Sequence, residues 1–134
     1  MNKEKYNTLI KNENIDDLFI WENRYVPDSE IRYYFSACDV VALPYKSATQ
    51  SGIIPLAYNY NKPVITNNTG GNIEMADNNK SGWIVNNNDV NQYIKIIIDN
   101  IYQLDKFEEY IRMEYKHKFS WNNFVNKLTE VFYE

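Results

Sequence analysis

Four short apolar runs alternate with segments of helical spacing along the chain. They cover residues 18–21, 40–43, 63–66 and 82–85. The run at 40–43 is continuous and rich in β-branched residues, as in strands buried on both faces of a parallel sheet. Because parallel strands need crossover connections, the alternation predicts an α/β fold: a Rossmann-like parallel sheet of about four strands with flanking helices.

Apolar residues at helical spacing, together with capping residues, predict the helices. Apolar positions at i, i+3 and i+4 indicate a first helix over 2–13. Asp28 or Ser29, the segment 86–89 and Ser120 are expected to cap later helices. Further helices are expected from 28 or 29 onward and at 52–60, 72–76, 90–104, 105–117 and 121–133.

Composition excludes several classes of function. The chain has 134 residues and a net charge of −4, with no block of Lys and Arg, so nucleic acid is not an expected partner. One cysteine, Cys38, and one histidine, His117, leave no disulfide framework, no cysteine metal site and hardly any Cys/His or Ser/His catalysis. No apolar run reaches the roughly 18 residues of a spanning helix. We therefore expect a cytoplasmic protein with at most peripheral membrane contact.

Two loops follow predicted strands and open onto helices. Open α/β sheets bind ligands beyond the carboxyl ends of their strands, and helix N-termini with nearby glycines suit a pyrophosphate. A glutamate in the second loop can accept hydrogen bonds from sugar hydroxyls. Ordinary turn residues of βα loops are the alternative interpretation. The candidate binding residues are Tyr45, Thr49, Gln50, Ser51, Gly52, Thr69, Gly70, Gly71 and Glu74.

Five segments follow one another in the order of a known family's motifs. Residues 25–30 are similar to Tyr-Val-Pro-Asp-Glu-Glu, and 36–45 to a strand that opens on an alanine/aspartate pair and ends in Pro-Ser or Pro-Tyr. Residues 61–66 are similar to Gly-Lys-Pro-Val-Val, 70–74 to Gly-Gly-x-x-Glu, and 81–85 to Gly-x-Gly-x-Leu-Val. Together they resemble the C-terminal, donor-binding domain of GT-B-fold group 1 (GT4-like) glycosyltransferases.

The resemblance implies a function and its reactants. The donor in that family is a nucleotide-activated sugar, the anomeric configuration is retained, and neither a metal nor another cofactor is required. Bacterial members build surface polysaccharides such as O-antigen, at the inner face of the membrane. Residues 1–134 would be a partial nucleotide-sugar-binding domain, with 105–134 as its C-terminal helices.

The sequence departs from the family pattern where the donor is held. Ala48 and Leu56 occupy the places of the paired glutamates Glu-x7-Glu, and Gln50 and Ser51 would supply polar contacts instead. Asn61 stands where glycine is usual, a place that asparagine tolerates.

The acceptor domain, the first strands of the donor domain and a basic Arg…Lys pair have no counterpart in this sequence. We therefore expect the strand at 18–21 to pair with 40–43, or a second chain to fill the gap. A homo-oligomer or a complementing chain with the N-terminal half would then be a partner.

Three functions stay open at this point. The chain is part of a glycosyltransferase that is inactive in isolation, a non-catalytic nucleotide-binding or interaction module that completes another chain, or a folded remnant. Nucleotide binding would separate the binding module from the remnant.

Overall fold

The computed structural model describes residues 3–86, 89–118 and 120–133. Contacts divide the chain into two compact units, Met1–Glu30 and Ile31–Glu134. The helices are α1 (Lys3–Asn12), α2 (Asp28–Ala37), α3 (Ile53–Asn59), α4 (Asn72–Met75), α5 (Val90–Asn100), α6 (Leu104–Tyr110), α7 (Lys116–Lys118) and α8 (Trp121–Tyr133). The strands are β1 (Val41–Leu43), β2 (Val64–Asn67) and β3 (Gly82–Val85), and 3-10 turns cover Asp16–Leu18 and Ile101–Gln103.

The predicted strand at 18–21 is wrong. Leu18 ends a 3-10 turn, and its N–H donates to the Ile15 carbonyl at 3.0 Å, while the Phe19 N–H donates to the Asp16 carbonyl at 3.2 Å. These local bonds use the donors that a strand ladder would need. Leu18 is 80% exposed and Ile20 93%, so this run forms no strand of the described sheet, and the filling of the gap by a second chain stays a prediction.

The three strands form one parallel sheet in the order β1-β2-β3. Val41 lies opposite Val64, which in turn lies opposite Gly82. Every residue of the central strand β2 is buried, as expected of an apolar run without alternation. The predicted α/β fold is confirmed, with three strands in the described residues rather than about four.

Two clusters of buried side chains lie on opposite faces of the sheet, because Val64 and Ile65 alternate along β2. One contains Leu43, Ile54, Ala57, Tyr58, Val64, Ala76, Ile111 and Tyr115; the other contains Ile65, Trp83, Val85 and Phe107. Helix α3 and the π-helical segment Ile111–Tyr115 therefore cover one face, and α5 and α6 cover the other.

Side-chain caps fix the starts of the later helices. Asp89 accepts from the backbone N–H of Asn91 at 2.9 Å, and Ser120 Oγ accepts from Asn123 N–H at 3.2 Å, so the caps predicted within 86–89 and at Ser120 are confirmed. The single helix predicted over 90–104 is wrong, because α5 ends at Asn100. There the Asn100 amide donates to the Ile96 carbonyl at 2.8 Å, and a 3-10 turn leads into α6.

Helix α8 presents its apolar stripe to solvent. Trp121, Phe124, Leu128 and Phe132 are 75%, 51%, 41% and 78% exposed. Their place in the sequence predicts core contacts for Trp121 and Phe124, and this prediction is wrong because α8 packs little against the other described elements. Within the described ranges, no helix is long and apolar enough to cross a membrane. The expected homo-oligomer stays a prediction.

Candidate functional site

Two loops leave neighbouring strands at the carboxyl edge of the sheet. The first loop, residues 44–52, follows β1, and the second loop, residues 68–71, follows β2. The backbone N–H of Gly71 donates to the Thr49 carbonyl at 2.6 Å. The fold therefore brings the two predicted groups of candidate residues together at one place.

Gly70 and Gly71 are required by the first loop. Gly70 has a φ of +49°, and a Cβ there would lie 1.9 Å from the Ala48 carbonyl oxygen. A Cβ on Gly71 would lie 2.9 Å from the Thr49 carbonyl oxygen. Only residues without a Cβ allow this approach of two backbones. The glycine pair thus shapes the site by packing loop on loop, a role that sequence reasoning did not give it.

The Ser51 hydroxyl is already used within the protein. Its Oγ accepts from the backbone N–H of Ile53 at 3.3 Å and lies 3.3 Å from the Tyr45 hydroxyl oxygen. Ser51 is 5% exposed. Its side chain therefore fastens the first loop to the start of α3.

Four other candidates remain accessible. Thr49, Gln50 and Gly52 of the first loop are exposed, as is Glu74 of α4. A Cβ on Gly52 would meet no atom within 4 Å, so the space beside this residue is open. These residues can present backbone N–H groups, an amide, a hydroxyl and a carboxylate to a polar ligand.

The family's glutamate positions hold apolar side chains. Ala48 and Leu56 are both half-buried, and neither can bind a sugar hydroxyl. Asn61 adopts a φ of +58°, which confirms that it takes the left-handed place of a glycine. In the part of the chain that the structure describes, no group of three or more His, Cys, Asp or Glu residues could hold a metal ion. The expectation of a metal-free reaction stays a prediction.

Sequence reasoning missed a polar network beneath the loops. The Tyr93 hydroxyl, on α5, donates to Asn67 Oδ1 at 2.8 Å, and Asn67 Nδ2 donates to the Tyr45 carbonyl at 2.7 Å. The sequence pattern predicts a turn at Asn67 and an apolar helix stripe at Tyr93, and neither predicts these bonds. An asparagine at the end of a buried strand was the available signal, because a buried amide needs partners.

A second branch of this network starts at α4. Asn72 is fully buried, and its Nδ2 donates to Thr66 Oγ1 at 3.3 Å. Thr66 in turn donates to the Leu43 carbonyl at 3.3 Å. Asn72 Oδ1 and Thr69 Oγ1 are buried and have no hydrogen-bond partner among the described residues. Buried polar atoms of this kind are uncommon in folded proteins.

The tyrosine of this network is protonated at neutral pH. Partial burial raises the pKa of Tyr93 to about 12, because the phenolate would lose hydration that the neutral phenol does not need. Its hydroxyl is therefore a donor at neutral pH, with Asn67 Oδ1 at 2.8 Å as the nearer acceptor and the Leu43 carbonyl at 3.5 Å as the second.

Comparison with known proteins assigns the chain to a family. The profile of the group 1 glycosyl transferases matches residues 1–117. The chain belongs to this family, as its motifs predicted. No curated protein sequence matches it significantly.

Solved structures share the fold at low identity. Sucrose-phosphate synthase from Thermosynechococcus elongatus superposes with a TM-score of 0.80 and 17% identity, over 96% of this chain and 33% of that one. Anabaena Alr3699/HepE in complex with UDP superposes with a TM-score of 0.72 and 15% identity, over 96% of this chain and 36% of that one. Alr3699/HepE in complex with UDP and glucose superposes with a TM-score of 0.65 and 16% identity, over 98% of this chain and 36% of that one. The chain thus has the fold of part of a GT-B glycosyltransferase and spans about a third of the length of these structures.

Proposed function

We propose that the chain binds the nucleotide-sugar donor of a retaining glycosyltransferase through the first and second loops. The observation that carries this proposal is the Gly71–Thr49 hydrogen bond. It holds two βα loops together at the carboxyl edge of a parallel sheet, with polar groups exposed. The family membership and the likeness to a structure that contains UDP support a donor-binding role for the chain.

The two loops would divide the donor between them. The open space beside Gly52, where α3 begins, would receive the diphosphate within reach of backbone N–H groups. The same N–H groups would stabilise the charge that develops on the leaving nucleotide. Thr49 and Gln50 add polar side chains, and the exposed Glu74 carboxylate would accept hydrogen bonds from the sugar. Ser51 would act through its backbone, since its hydroxyl is engaged with Ile53.

The proposed setting is bacterial surface polysaccharide synthesis at the inner face of the cytoplasmic membrane. Sugar transfer also needs an acceptor site and the basic pair that the family places on the diphosphate. We expect another polypeptide region to supply both, so residues 1–134 alone would bind the donor without transferring its sugar.

Titration with nucleotides tests this proposal. A ligand that binds only the folded state stabilises it by about 2.7 kcal/mol at a hundred times its Kd. We expect UDP or GDP to raise the Tm of the chain, and the matching nucleotide sugar to raise it at lower concentration. Glu74→Gln should weaken binding of the nucleotide sugar and leave binding of the free nucleotide unchanged. Glu109→Gln, an exposed carboxylate on α6, is the control and should alter neither.

Two outcomes would overturn the proposal. The absence of any shift with UDP, GDP and their sugars would leave a folded remnant. Efficient sugar transfer by the chain alone would contradict the need for a second region.

The alternative is a non-catalytic nucleotide-binding or interaction module. The observation that favours it is the apolar, half-buried character of Ala48 and Leu56 at the family's glutamate positions. A nucleotide Kd that the attached sugar does not improve, with no transfer when a complementing chain is added, would support this reading.

A further inference from the structure

A hydrogen-bonded relay connects α5 to the entry of the first loop. The Tyr93 hydroxyl donates to Asn67 Oδ1 at 2.8 Å, and the other end of the same amide donates to the Tyr45 carbonyl at 2.7 Å. We propose that Tyr93 and Asn67 are positioning residues, which hold the first loop in its donor-binding conformation without touching the donor. This inference rests on the proposed function.

The relay fixes the orientation of the Asn67 amide. A carboxamide offers one acceptor and one donor end, and here each end has its own partner. Asn67 is 1% exposed, so water cannot substitute for either bond. If the Tyr93 hydroxyl is removed, Asn67 Oδ1 loses this donor, and the amide is held less firmly in the orientation that reaches Tyr45.

The relay acts at one of the points that anchor the first loop. Tyr45 is held through its carbonyl by Asn67, and Thr49 is held through its carbonyl by Gly71. The Tyr45 side chain also reaches forward to Ser51 Oγ, at 3.3 Å. A shift at Tyr45 would therefore reach Ser51 and the backbone beside Gly52, where the diphosphate is proposed to bind.

Tyr93 is suited to a test because its ring and its hydroxyl have separate roles. The ring packs against the cluster of Ile65, Trp83, Val85 and Phe107, while the hydroxyl reaches Asn67. Tyr93→Phe keeps the packing and removes only the donor. Tyr110→Phe is a matched control, since that hydroxyl donates to Asp77 Oδ2 at 2.9 Å and has no bond to either loop.

The experiment measures nucleotide affinity, stability and loop opening in the full chain. For Tyr93→Phe we expect the Kd for UDP or GDP to rise about three- to tenfold, as for the loss of one hydrogen bond. Amide hydrogen exchange in residues 46–52 should speed up in the absence of ligand. Both variants should lower the Tm by a similar amount, since each loses one hydrogen bond. Tyr110→Phe should leave the Kd and the exchange in residues 46–52 unchanged.

A double-mutant cycle tests the route through the amide. If Tyr93 acts through Asn67, then Tyr93→Phe should weaken binding little in an Asn67→Ala background. Additive losses would contradict the relay. An unchanged Kd together with unchanged exchange in Tyr93→Phe would overturn the proposal.

Failure of the proposed function gives a different pattern. If the unmodified chain binds no nucleotide, but Tyr93→Phe still accelerates exchange in residues 46–52, the relay positions the loop for some other use. If neither binding nor a change in exchange is found, both proposals fail.

Discussion

The first and second loops lie side by side, yet their glycines differ in the space around them. Gly70 and Gly71 are pressed against the backbone of the first loop, where a Cβ would come within 1.9 Å and 2.9 Å of carbonyl oxygens. Gly52 has open space around its Cβ position. The second loop is thus a support, and the first loop is the surface that this support presents. A glycine in a βα loop does not by itself indicate ligand contact.

The largest loss of stability should come from a substitution in the second loop. Gly70→Ala places a methyl group on a carbonyl oxygen and forces a left-handed φ on alanine. The free energy of unfolding should fall by about 2–4 kcal/mol. Urea denaturation measures this loss. A change below about 0.5 kcal/mol, the level of an ordinary surface substitution, would contradict the close contact of the two loops.

The buried amide of the second loop's helix should come next. Asn72→Ala removes the donor to Thr66 Oγ1 and leaves a small cavity, so we expect a loss of about 1–3 kcal/mol. Gln50→Ala, exposed in the first loop, should change the free energy of unfolding by less than about 0.5 kcal/mol. Equal losses of unfolding free energy for the two variants would contradict the different roles of the two loops.

Gly52→Ala should separate stability from binding. Gly52 has a φ of −66° and a ψ of −15°, which alanine adopts without strain. Stability should therefore stay constant or rise by about 0.4–1 kcal/mol, because the unfolded chain loses freedom. Nucleotide affinity should fall if the diphosphate approaches this backbone. Unchanged affinity, measured by calorimetry, would remove Gly52 from the proposed site.

The smallest effect concerns pH. The pKa of Tyr93 is raised to about 12 in the folded state, above its ordinary value, so folding favours the neutral phenol. This contribution is complete below about pH 10 and is lost as the pH rises through about 12. Burial also raises the pKa of Tyr58 and Tyr115, so part of the alkaline loss should remain in Tyr93→Phe. Unfolding followed from neutral to alkaline pH should show a shallower decline in that variant.

Two apolar runs of equal length show how far pattern alone predicts a strand. Residues 40–43 and 18–21 are both continuous and apolar. The Val41 N–H donates to the Pro63 carbonyl at 3.0 Å, so the first run has a neighbour to pair with. In the second run, the N–H groups of Leu18 and Phe19 donate to carbonyls of a local turn instead. Hydrophobicity marks the candidates for strands, and pairing partners that are distant in sequence select among them.

The candidate site was predictable in outline and not in its connections. The order of the motifs predicted the family and the two loops. The relay from Tyr93 to Tyr45 joins residues far apart in the sequence, through an amide whose partners depend on the register of β1 and β2. No local pattern contains that register.

The sequence by itself determined the α/β class, the strands at β1, β2 and β3, and the two glycine-containing loops, because apolar runs, caps and turn residues act locally. Only the tertiary structure decided that Gly70 and Gly71 pack against the neighbouring loop, that the Ser51 hydroxyl is engaged, and that Asn67 joins Tyr93 to Tyr45. Those roles depend on backbones and side chains brought together across the sheet, and such contacts exist only once the strands are in register.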